Sequence, residues 1–255
     1  MNRIIVNSRL NQIVVNFYRH QENTFYQNEI LELAKYFLTL IAKFNEPYFM
    51  HIFYSSIAYR GIAMVHPFGQ ERQEEFLTKA EQLARNLKGN TELEKMVAAD
   101  NLYTCLQTMS KWQFHRKKTK ESENYLLEMI SIDPYDSIAY SELGFFYIKT
   151  ESYENAVTQF KKALDLGPPG TGMNAYYYAK CLEKLGDEPN AVAMLYQSAE
   201  IDSQALSPWL DLMNYFGNKG QHHKAIEIAN HINKTPILME QLEEDEAIII
   251  QNLIK

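Results

Sequence analysis

The run Gly167-Pro168-Pro169-Gly170-Thr171-Gly172 has the glycine density of a loop whose backbone N–H groups cradle phosphates. Such a loop needs a strand before it, a helix after it, and a Lys followed by Ser or Thr to meet phosphate and magnesium. Met173 and Asn174 stand in those two places, so the run reads as a connection between helices. His223 lies four residues before Glu227, close enough on a helix to share a face and hold a metal weakly. The sequence has no His-Glu-x-x-His and no Cys/His set with zinc spacing, so a solvated helix start is the plainer reading of His222 and His223. Cys105 and Cys181 are far apart, and neither has a recognisable base beside it, as a nucleophile would require. They read as small core residues. The run His115-Arg116-Lys117-Lys118-Thr119-Lys120 is the one concentrated basic patch. It suits a solvated loop between two helices, with an anion or acidic-peptide contact as the sharper alternative. No catalytic residue, metal ligand or cofactor site is predicted, and the chain is not expected to be an enzyme.

Composition narrows the class. The chain has 255 residues, 46% apolar and 22% charged, with only 10 Gly and 8 Pro. That is ordinary globular usage and suits long helices with short connections. The 17 Tyr and 13 Phe are expected mostly to fill space between helices. A formal charge of −7 argues against bulk nucleic-acid binding, which needs a positive footprint. Nothing reads as a membrane span or a secretory signal, and two unpaired cysteines fit a reducing compartment. A cytoplasmic protein without membrane contact is the expectation.

The elements that must position these residues repeat. Tyr140, Leu143-Gly144 and Tyr147 are followed by Ala156, Phe160, Ala163 and Pro168. The next copy reads Ala175, Tyr178-Ala179, Leu182, Gly186-Asp187, Ala191, Leu195 and Ser198. A third reads Trp209, Leu212-Met213, Phe216, Gly220, Ala225, Ala229, Ile232 and Pro236. The alanines step from 156 to 191 to 225, intervals of 35 and 34. Small residues let helices approach, and the large ones fill what remains. Gly186 and Gly220 suit the left-handed residue that ends a first helix, while Ser152 and Asp187 suit the N-cap of the second.

This pattern strongly resembles the tetratricopeptide repeat over residues 136–236. The resemblance implies an all-α fold, an αα-hairpin repeat solenoid wound as a right-handed superhelix. A degenerate copy is expected over about 103–135, marked by Leu106, Met109-Ser110, Ser122, Leu126, Met129 and Pro134. Residues 1–102 read as helical and repeat-like, with segments at 27–44, 48–65 and 70–87 and a weak helical lean for 1–20. Residues 237–255 read as a capping helix, with an acidic face against Leu242, Ala247, Ile248, Ile249 and Leu253.

In this family the first helices of successive repeats line a concave groove. Carrying those places over gives Ser141, Glu142 and Phe145, then Tyr176, Tyr177, Lys180 and Lys184, then Leu210, Asp211, Asn214 and Asn218. The degenerate copy offers Gln107, Thr108 and Lys111. Some members grip a peptide's terminal carboxylate with cations on successive helices, and this chain departs from that pattern. The implied function is a non-catalytic scaffold or accessory protein that binds a protein or peptide. The alternatives are a peptide-sensing regulator with an N-terminal effector module, or a subunit of an enzyme complex. Self-association through the N-terminal helices is also expected.

Overall fold

In a computed structural model, the structure describes residues 24–43, 48–64 and 71–254. The weak helical reading of 1–20 and the segment His66-Pro67-Phe68-Gly69 lie outside them. Thirteen helices are described, and no strand occurs among the described residues. The chain divides into two compact units, residues 1–132 and 133–255.

The first unit holds α1 (Thr24–Lys43), α2 (Tyr48–Met64), α3 (Glu71–Asn86), α4 (Glu92–His115) and α5 (Thr119–Ile132). Each packs on the next in chain order, and α2 also meets α4. The helices expected at 27–44, 48–65 and 70–87 correspond to α1, α2 and α3 over the described residues. The degenerate copy expected from residue 103 has a much longer first helix, starting at Glu92 behind a capping box. Thr91 Oγ1 accepts from Glu94 N at 3.2 Å while Glu94 Oε2 accepts from Thr91 N at 3.2 Å.

Buried polar residues knit this unit together. Ser56 donates to the Ala80 carbonyl at 3.0 Å and accepts from Asn101 Nδ2 at 3.2 Å, tying α2 to α3 and α4. Ser110 and Ser122, one on α4 and one on α5, lie 3.0 Å apart through their hydroxyls, and Ser122 also donates to the Ser110 carbonyl at 2.9 Å. They occupy the places of Gly144 and Ala156 one repeat later. At these places a hydrogen-bonded serine pair joins α4 to α5.

The second unit contains α6 (Ser137–Lys149), α7 (Tyr153–Leu166), α8 (Thr171–Lys184), α9 (Glu188–Ile201), α10 (Leu206–Asn218), α11 (His222–Lys234), α12 (Pro236–Met239) and α13 (Glu244–Leu253). The first six pair as expected, α6 with α7, α8 with α9, and α10 with α11. A Cβ built on Gly144 would stand 2.8 Å from the Phe160 ring, so glycine is what lets that ring sit against α6. Gly186 and Gly220 take positive φ of 78° and 70°. Glu151 at 59° and Lys117 at 60° do the same without glycine, so one left-handed residue recurs at 117, 151, 186 and 220. Asp187 caps α9 through Asn190 N, but Ser152 makes no capping bond to α7.

One further expectation holds here and another changes. The run 167–172 joins α7 to α8, two helices, as the connection reading required. The capping helix anticipated over 239–254 is shorter and begins at Glu244, after the four-residue α12 and a turn. Its buried anchor is Ile250, packed with Leu212, Ile232 and Leu238 of the terminal core. Ile248 and Ile249, expected to face inward, are each 51% exposed. At 100° per residue a short helix can turn only one narrow stripe inward.

Candidate functional site

Of the groove residues expected on α6, α8 and α10, most fall into two neighbourhoods, Glu142 and Lys184 lie in neither, and Ser141 is buried. Ser141 is only 6% exposed, and its hydroxyl bonds the Ser137 carbonyl at 2.9 Å and Asn174 Oδ1 at 2.7 Å. Ser141 therefore ties α6 to α8 and is not presented to a ligand. The offset that places Glu142 and Phe145 on the outer face turns Ser141 toward the neighbouring repeat.

The first neighbourhood is aromatic. The Phe145 ring meets Tyr177 edge-on at 4.6 Å and Phe160 at 5.2 Å, and Tyr177 meets Tyr176 at 5.3 Å. Tyr177 also stacks at 6.1 Å on Phe160, which is fully buried. Phe145, Tyr176 and Tyr177 are half-buried, so part of each ring stays accessible.

The second neighbourhood is a cleft of about 340 Å³ between α8, α9 and α10. It gathers Lys180, Asp211, Asn214 and Asn218. Lys180 Nζ lies 2.7 Å from Glu183 Oε2 and 3.1 Å from Asp211 Oδ2. Burial lowers the lysine's pKa, but these two carboxylates more than offset it, and the net shift is upward. Burial, with the adjacent Asp211 charge and its hydrogen bond, pushes Tyr176 up to about 12. Lys180 is thus committed to internal partners and is not poised for a ligand carboxylate. Lys184 and Glu142 are not among the cleft's lining residues; Lys184 is exposed and Glu142 half-buried.

First-helix positions alone do not give the cleft's other wall. Glu188, Ala191, Val192 and Leu195 come from α9, with Tyr215 and Lys219 at the end of α10 and just beyond it. Lys219 Nζ pairs with Glu188 Oε2 at 2.6 Å. A signal existed: Lys180–Asp211 and Glu188–Lys219 are both opposite charges 31 residues apart, a little under one repeat.

The other chemistry candidates settle into structure. His223 Nδ1 stands 3.5 Å from Glu227 Oε1 with both largely exposed. Among the described residues, no cluster of three or more His, Cys, Asp or Glu is arranged to hold a metal. Cys105 and Cys181 are buried, and burial pushes each thiol up to about 11, the reverse of an activated nucleophile. In the basic run, Arg116 pairs with Glu74 at 2.7 Å and lies 4.8 Å from the Trp112 ring, so it is not purely solvated. No described helix is long and apolar enough to cross a membrane.

No family model and no curated protein sequence matches the chain. Solved structures do. The protein described as Pseudomonas aeruginosa pilF is similar at 14% identity and a TM-score of 0.55, over 94% of this chain and 98% of that one. BtubC (BKLC) from P. vanneervenii is similar at 17% identity and a TM-score of 0.54, over 79% and 83%. YrrB, described as a TPR protein with an unusual peptide-binding site, gives 16% identity and a TM-score of 0.49, over 77% and 92%. The fold is that of the tetratricopeptide-repeat proteins, an all-α solenoid of helical hairpins.

Proposed function

We propose that this chain is a non-catalytic interaction protein that holds a peptide or an extended protein segment on the α6–α8–α10 face of its second unit. The observation that carries this reading is the adjacency of half-buried rings at 145, 176 and 177 to a cleft walled by ion pairs. Stacking surfaces beside fixed hydrogen-bonding groups suit a backbone held by side-chain contacts. Glu142, Phe145, Tyr176, Tyr177, Lys184, Asp211, Asn214 and Asn218 remain the proposed contacts, with Lys180 as an organiser of Asp211.

Asn214 and Asn218 are exposed, so Asn214→Arg with Asn218→Arg leaves the core intact. Capture of partners from native extract should fall strongly while the melting temperature stays within about 2 °C. Undiminished capture by the double variant means that another surface is used.

The net negative charge supports a partner other than nucleic acid, and two unlinked thiols accord with a reducing, cytoplasmic setting. Self-association through the first unit is supported by Leu93 and Met96, one turn apart on α4 and both largely exposed. Light scattering of Leu93→Glu with Met96→Glu against the unaltered chain tests it. A second reading, a peptide-sensing regulator, takes residues 1–90 as the effector module, which lie within the first of the two units. A peptide-dependent change in amide exchange of that unit would favour it.

A further inference from the structure

The cleft between α8, α9 and α10 carries more negative charge than its own cations neutralise. Glu183, Glu188 and Asp211 line it against Lys180 and Lys219. Lys219 takes Glu188, and Lys180 is divided between Glu183 and Asp211. The imbalance extends to the whole second unit. Residues 133–255 carry 18 Asp and Glu against 9 Lys and Arg, formally −9, whereas residues 1–132 carry 14 against 16, formally +2. Within the cleft, Ala191, Val192 and Leu195 supply an apolar wall, and the carboxamides of Asn214 and Asn218 add acceptors.

An apolar wall leading to under-neutralised carboxylates matches a long side chain with a methylene stem and a cationic head. We propose that this cleft receives an arginine side chain from the partner segment. Its methylenes lie on Val192 and Leu195, and its guanidinium meets Asp211 and Glu183 beside the Lys180 ammonium that bridges them. Arginine fits better than lysine because its planar fork of five donors can meet two carboxylates and a carboxamide at once, whereas an ammonium acts as a point charge. The volume of about 340 Å³ is at the small end for ligand pockets and suits one side chain, not a helix. An acidic side chain finds both ammonium groups already paired. The proposal rests on the reading that this face binds an extended segment, and it names what that segment must carry.

The test uses the full-length chain and short capped peptides of alanine and leucine that differ only at a central arginine, citrulline, norleucine or glutamate. Binding is read by anisotropy and by the methyl signals of Val192 and Leu195. The arginine peptide should bind about fivefold more tightly than the citrulline peptide, the gain of one partly exposed ion pair, and the advantage should shrink with added salt. Asp211→Asn and Glu183→Gln should each erase most of that preference. Lys180→Met, which removes the competing cation, should enlarge it. Equal binding of all four peptides, with the methyl signals still shifting, overturns the arginine proposal and leaves the groove standing. Preference for glutamate also overturns it. If no peptide moves the signals of Phe145, Tyr177 or Val192, the groove reading falls as well.

Discussion

The serine pair at 110 and 122 shows how one position decides whether a repeat looks like its neighbours. Removing the Ser122 hydroxyl takes the partner of buried Ser110, at about 1–3 kcal/mol, whereas removing that of Ser110 leaves Ser122 still donating to the Ser110 carbonyl and costs less, and removing both leaves an apolar contact. Ser110→Gly and Ser122→Ala should therefore each destabilise, and the double variant should cost less than their sum in urea unfolding. The left-handed residues offer a cleaner comparison. A Cβ at Gly186 or Gly220 meets nothing within 4 Å, so Gly186→Ala or Gly220→Ala should cost about 1 kcal/mol from backbone strain alone. Glu151→Gly should be close to neutral or slightly stabilising, since the strain is already present there. The two buried thiols set a pH dependence. Each has its folded pKa raised from 9 to about 11, so the native state keeps protons that the unfolded chain releases. Stability is fully present below about pH 9 and declines as pH rises toward 11, by about 2 kcal/mol per thiol. Urea midpoints measured across that range should fall, and Cys105→Ala with Cys181→Ala should flatten the slope.

At the scale of the element, the three clear hairpins were legible because each level of the sequence agrees with the others. Alanines at fixed intervals, an aromatic in the space they leave and a turn residue between helices all specify the same pairing. The first unit was less legible for a physical reason. Its helices join through Ser56, Asn101 and the Ser110–Ser122 pair, polar residues that periodicity counts as surface. The cleft was half legible. First-helix positions gave Lys180, Asp211, Asn214 and Asn218, but Val192 and Leu195 belong to α9, where apolar spacing signals only core. Ser141 was misassigned because a groove offset copied along a helix takes no account of a neighbour's Asn174. At the chain's end, Ile250 closes the terminal core, so Ile250→Ala should cost about 2–4 kcal/mol. Ile248→Ala, on the exposed side, should change little, and comparing the two by denaturation checks the orientation of α13.

On the scale of the whole molecule, the boundary at 132/133 falls in the short connection between α5 and α6. Residues 133–255 hold three hairpins and their terminal helices, a size at which stacked repeats sustain a core. Expressed alone, this piece should show a cooperative urea transition, and a sloping, non-cooperative loss of helicity would mean that it depends on the first unit. The left-handed turn residues at 117, 151, 186 and 220 carry one more consequence. Spacings of 34, 35 and 34 put the single extra residue between the turns at 151 and 186. A hairpin array thus absorbs length changes in its connections while its turns keep time. The open space around Gly186 and Gly220 makes those turns the natural places to splice in a fluorescent tag or an epitope.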